Sequence, residues 1–122
     1  MENNRIRVLV VDDDLIFGKN FVTILRDKGY SVELAGTGNK AIGMLSVEHF
    51  DIILLDIKLP DINGIEVFKK IKDIQPKIGV IVMSAYPFEE TVMCSIQKES
   101  LVYFCKPFDI NAVLDAIKKI SG

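Results

Sequence analysis

Residues 51–68 read DIILLDIKLPDINGIEVF. Residues 51–55 form an almost continuous apolar run, the pattern of a strand covered on both faces. Asp56 ends the run. Asp61, Ile62, Asn63 and Gly64 then make a turn. The spacing over residues 65–74 is helical, and Pro76 closes that helix. A strand, an acid, a turn and a helix follow in order, and the question is whether the unit recurs.

It recurs in both directions. Upstream, residues 6–11 are apolar apart from Arg7, and the strand they predict runs into three acids, Asp12, Asp13 and Asp14. Helical spacing then covers residues 15–28, with Leu15, Phe17, Phe21, Ile24 and Leu25 assigned to one face and Gly29 ending the helix. Residues 31–35 alternate polar and apolar, with Val32 and Leu34 pointing one way. Gly36, Thr37 and Gly38 form a loop before a helix over residues 39–47, with Ala41, Ile42 and Leu45 inward. Downstream, residues 78–83 predict another apolar strand. Pro87 suits the first turn of a helix reaching about Lys98. Residues 101–104 form a short strand, and Asp109 caps a last helix through Ile120.

Five strands alternating with five helices predict an α/β fold with a parallel sheet. The alternating second strand fits a sheet edge. That favours a doubly wound, flavodoxin-like order 2-1-3-4-5 over a closed barrel. The 122 residues suit one domain. No apolar run approaches the roughly 20 residues needed to span a bilayer, and no secretory leader opens the chain. We therefore expect a cytoplasmic protein without a membrane partner. The formal net charge of −2 and the scattered Lys and Arg argue against direct nucleic-acid binding. Cys94 and Cys105 read as two reduced thiols.

In such a sheet, ligands sit beyond the carboxyl ends of the strands. Those ends carry Asp12, Asp13 and Asp14, then Asp56, Ser84 and Lys106. Clustered carboxylates bind a hard divalent cation, and Mg²⁺ commonly takes one or two of them plus water and phosphate oxygens. A lysine and a hydroxyl beside the cation suit the other oxygens of a phosphoryl group. An ionised aspartate is itself a competent nucleophile for acyl-phosphate formation. A lone structural cap would not need three acids. Asp14, where the helix begins, reads as that cap.

The stretches VLVVDDD, DIILLDIKLPDINGIEVF, VIVMSAY and YFCKPFD, in this order and spacing, make the chain resemble the receiver domain of two-component response regulators over essentially its whole length. The resemblance implies Asp56 as phosphoacceptor and Mg²⁺ as cofactor. Asp13 would be a direct ligand and Asp12 one acting through water, with the Lys58 main-chain carbonyl completing the protein's share of the shell. Ser84 takes the place of the switch hydroxyl, Lys106 that of the phosphate-contacting lysine, and Tyr103 that of the aromatic that follows activation. A cis Lys106–Pro107 bond is also implied. The side chains of Lys58 and Tyr86 occupy places that tune phosphoryl lifetime.

The implied function is that of a phosphorelay receiver. It takes a phosphoryl group from a phosphohistidine on a sensor kinase or phosphotransfer protein and switches a partner-binding face. It promotes only its own phosphorylation and dephosphorylation, so it is not an enzyme in the ordinary sense. A metal-dependent phosphatase using the same rim is the competing class, and it lacks an obvious substrate-specificity insertion here.

Glu99 and Ser100 stand where relatives usually carry Gly-Ala. Leu101, Val102 and Tyr103 make the last strand unusually apolar. Together with the helices on either side of it, this strand is a candidate homodimer or effector surface. No output module follows the last helix within these residues, so a stand-alone regulator and the first domain of a longer one both stay open. His49, the one histidine, reads as a solvated loop residue. Met44, Met83 and Met93 read as core or partly buried fillers.

Overall fold

A computed structural model describes residues 5–56, 64–84, 102–105 and 109–121, with backbone alone for 64, 65, 84, 102–105 and 121. Five strands are described: β1 (Arg7–Val11), β2 (Ser31–Ala35), β3 (Ile52–Asp56), β4 (Gly79–Ser84) and β5 (Val102–Cys105). They form one parallel sheet in the order β2-β1-β3-β4-β5. Four helices are described: α1 (Leu15–Asp27), α2 (Gly38–Val47), α3 (Gly64–Ile74) and α4 (Ile110–Ser121). The expected helix from Pro87 lies outside the described residues.

The apolar runs split cleanly by pleat. Leu9, Val11, Ile53, Leu55, Val80 and Val82 pack with Ala41, Leu45, Val67, Phe68 and Ile71 of α2 and α3. Val8, Val10, Ile52, Leu54, Ile81 and Met83 pack with Phe21, Val22, Leu25, Val113, Leu114 and Ile117 of α1 and α4. Successive side chains point to opposite faces of a strand. A run with no polar residue is therefore what two helical layers demand. Every residue of β3 is buried, whereas β2, at the edge, exposes Glu33.

α1 departs from the expected face. Phe21, Val22 and Leu25 are buried around Gly18, but Leu15 is 50% exposed and Ile24 37% exposed. Ile24 lies about 120° round the helix from Gly18, which turns it away from the sheet. Gly18 sits at the contact because a Cβ there would come within 2.8 Å of Leu34 Cδ1. Asp14 caps the helix, accepting from the Phe17 amide at 3.1 Å. Gly29, at φ +96°, turns the chain out of it. Thr37 caps α2 through the Lys40 amide at 3.1 Å. The Asp109 carboxylate accepts from the Asn111 amide at 2.9 Å at the start of α4.

Side chains tie together the sheet end opposite the acids. The Gln75 amide donates to the carbonyls of Leu45 and Glu48, and its Oε1 accepts from the Phe50 amide. One residue thus satisfies three backbone groups of the α2–β3 link. Arg7 donates to the His49 carbonyl and pairs with Glu48 at 2.8 Å. Its guanidinium also lies over the Phe50 ring, 4.5 Å from the centroid. His49 is largely exposed, as expected, with a ring nitrogen 3.3 Å from Asp51. At the end of the last helix, a Cβ on Gly79 would overlap Cγ2 of Ile120. The last turn of α4 therefore seats against the first residue of β4.

Gly43 is exposed inside α2, and a Cβ there meets nothing within 4 Å. Gly43→Ala should therefore stabilise the fold by about 0.5–1 kcal/mol, the difference in helix propensity. Urea denaturation should show a higher midpoint at unchanged slope.

Candidate functional site

Strand register builds the rim. Val11 of β1 stands beside Leu55 of β3. Asp12, the next residue after Val11, and Asp56, the last of β3, therefore leave adjoining strands at one level. Asp56 in turn stands beside Met83 of β4, so the Ser84 backbone lies one step beyond it. Ser84 pairs with Cys105, the last residue of β5. Lys106 follows directly but lies outside the described residues.

One carboxylate oxygen from each of Asp12, Asp13 and Asp56 lies within 4.8 Å of the other two. Asp12 is fully buried, Asp56 is 5% exposed and Asp13 is exposed. Backbone contacts hold Asp12 in place. Its amide donates to the Ala35 carbonyl at 3.1 Å, and its Oδ1 accepts from the Asp14 amide at 2.9 Å. The run of three acids is therefore divided: Asp12 and Asp13 face the cluster with Asp56, and Asp14 caps α1.

The donor set is all oxygen, which suits Mg²⁺ or Ca²⁺ and not a thiolate-seeking metal. Oxygens on opposite sides of a Mg²⁺ ion are about 4.2 Å apart. Oxygens that lie within 4.8 Å of one another are therefore close enough to share one such ion, directly or with a water between a carboxylate and the ion. Without a cation, like charges at this distance repel by on the order of 1 kcal/mol in water and more where solvent is excluded.

The Lys58 and Tyr86 expectations lie outside the described residues, as does the peptide bond between Lys106 and Pro107. Ser84 and Tyr103 are placed by their backbones in β4 and β5. The support given to Asp12 by the Ala35 carbonyl had no sequence signal, because any residue at position 35 offers a carbonyl. Among the described residues, no helix is long and apolar enough to cross a membrane.

Comparison with known proteins agrees with this geometry. The response regulator receiver domain family matches residues 8–118. The chain is 35% identical over 113 residues to sporulation initiation phosphotransferase F of Bacillus subtilis (strain 168), covering 93% of this chain and 91% of that protein. It is 34% identical over 119 residues to transcriptional regulatory protein ZraR of Escherichia coli (strain K12). That match covers 98% of this chain but 27% of ZraR, so the chain spans about a quarter of that relative's length.

Among solved structures, the CheY-like response regulator receiver domain protein of Methanospirillum hungatei JF-1 superposes with a TM-score of 0.90 at 32% identity, covering 97% of this chain and 95% of that one. The response regulator TrrA of Thermotoga maritima, solved in complex with Mg(2+)-BeF, gives 0.82 at 26% identity, covering 94% and 98%. The CheY-like parallel α/β fold, the acidic rim and the span of the match have one common explanation: the chain is a receiver domain and belongs to the response regulator family of two-component signalling.

Proposed function

We propose that Asp56 is the phosphoacceptor of this receiver. The observation that carries the reading is the meeting of Asp12, Asp13 and Asp56 at the adjoining ends of β1 and β3. An Asp56 carboxylate oxygen attacks the phosphorus of a phosphohistidine. The new P–O bond forms as the P–N bond breaks, and the electron pair leaves with the imidazole of the donor. An ionised carboxylate needs no general base for this. The burial of Asp56 at the end of β3 would restrict how its carboxylate moves, and positioning is most of what phosphoryl transfer asks of a protein.

Asp12, Asp13, Asp56 and the Lys58 carbonyl would hold Mg²⁺, which when bound neutralises charge on the phosphoryl oxygens. Lys106 and Ser84 would bind those oxygens. Ser84 drawn inward, with Tyr103 following, would shift the population toward a second state of the partner face. Lys58 and Tyr86 would govern water's access and so the phosphoryl lifetime.

A helix over residues 87–98 would complete five helices around the sheet. That helix, β5 and α4 would present the surface for an effector, an output domain or a second copy. The phosphoryl donor is a histidine kinase or phosphotransfer protein, and the site of action is the cytoplasm. Receiver domains are signalling domains, and this one would turn over no separate substrate.

Incubation with acetyl phosphate and Mg²⁺, followed by intact-mass measurement, tests the reading. A persistent single phosphoryl adduct is the expected result. Rapid multi-turnover hydrolysis with no adduct would favour a phosphatase instead. The decay of the adduct reads its lifetime, which should change when Lys58→Ala and Tyr86→Ala are combined. An unchanged decay rate removes these two residues from the account.

A further inference from the structure

β2 closes the sheet on one side, and among the described residues no other strand pairs with its outer edge. The Ser31 amide donates to the Ile6 carbonyl, and the Ala35 carbonyl accepts from the Asp12 amide. Residues 31, 33 and 35 therefore turn their backbone groups toward β1. By alternation along the strand, the amides and carbonyls of Val32 and Leu34 face away from the sheet. Such an edge is a template for another strand. The sequence Ser-Val-Glu-Leu-Ala favours pairing, since Glu33 is its one charged residue.

Two features stand across this edge. Arg26, in the last turn of α1, donates from Nη2 to the outward Val32 carbonyl at 2.8 Å. Glu33 is exposed at the middle of the strand. Both border an open cleft between α1 and β2 that also includes Lys19, Thr23 and Leu34. The edge is therefore not roofed by the helix.

A second copy arriving about a two-fold axis would pair its β2 antiparallel to this one. Centred on residue 33, that register sets Val32 opposite Leu34 of the second copy, so that all outward groups could bond. The same register sets Glu33 directly against Glu33 of the second copy, an unfavourable like-charge pair. It also requires the Arg26 guanidinium to leave the Val32 carbonyl. We propose that Arg26 and Glu33 are gatekeepers that hold the β2 edge unpaired against a second copy of this chain. Neither residue belongs to the acidic rim, so the device is separate from phosphorylation.

The test uses Arg26→Ala, Glu33→Thr and the double variant. The readouts are sedimentation over a concentration series and hydrogen exchange at the Leu34 amide. The double variant should form a dimer that the wild type does not form at matched concentration. Its Leu34 amide should exchange slower by roughly tenfold or more, and each single variant should fall between. A folded double variant that sediments like the wild type overturns the proposal. So does a dimer whose Leu34 amide exchanges at the wild-type rate, because its contact would lie elsewhere. If the double variant does not fold, Arg26→Gln with Glu33→Gln removes the same charges with less change of shape and is read in the same way.

Discussion

Asp56→Asn should take up no phosphoryl group from acetyl phosphate, while melting at a higher temperature than the wild type in metal-free buffer. The two effects have one origin. Asp56 is 5% exposed and shares its end of the sheet with Asp12 and Asp13. Asparagine keeps the shape of the side chain and its packing between β1 and β4. It loses the anionic oxygen that, on the proposed reading, would attack phosphorus, and it removes one of three mutually repelling charges. Intact mass reads the first effect and thermal denaturation without metal reads the second. Full adduct formation in the variant would place the acceptor at another residue. A lower metal-free melting temperature would mean that hydrogen bonds to the Asp56 carboxylate outweigh the repulsion.

The second large effect is the response to Mg²⁺. A ligand that binds only the folded state stabilises it by RT ln(1 + [L]/Kd). At tenfold excess over Kd this is about 1.4 kcal/mol, or about 5 °C in melting temperature for a domain of this size. Asp13→Asn should reverse the pattern. Asp13 is the exposed member of the cluster, so its replacement disturbs little packing. The metal-free variant should melt at or above the wild type, and most of the rise with Mg²⁺ should be lost. Equal rises in wild type and variant would remove Asp13 from the metal shell. No rise at millimolar Mg²⁺ in the wild type would count against the cation site as a whole.

The strands were legible in the sequence because burial on both faces leaves few polar residues inside a strand, and the runs at residues 8–11, 52–55 and 80–83 contain none. The acidic rim was legible for a related reason: an acid directly after such a run has to stand at the strand's end. Asp14 as a cap was also readable, since the cap position is set by where helical spacing begins. The buried face of α1 was less so. Leu15 and Ile24 are apolar in a helix, but periodicity does not say where the sheet lies, and Gly18 under Leu34 centres the contact elsewhere. Gln75 carried no signal at all. Its three backbone partners come from residues at least 25 positions away, and only the folded chain brings them together.

The seat of Ile120 against Gly79 has a practical consequence for handling the molecule. Gly79 opens β4 and stands four residues before Met83, the neighbour of Asp56. At the usual rise of a strand, the two levels are about 13 Å apart. A dye, an affinity tag or a surface linker attached after residue 121 therefore begins at the far pole from the aspartates. Immobilised by that end, the domain would keep its acidic rim turned toward the solution, free to meet a phosphoryl donor flowing past.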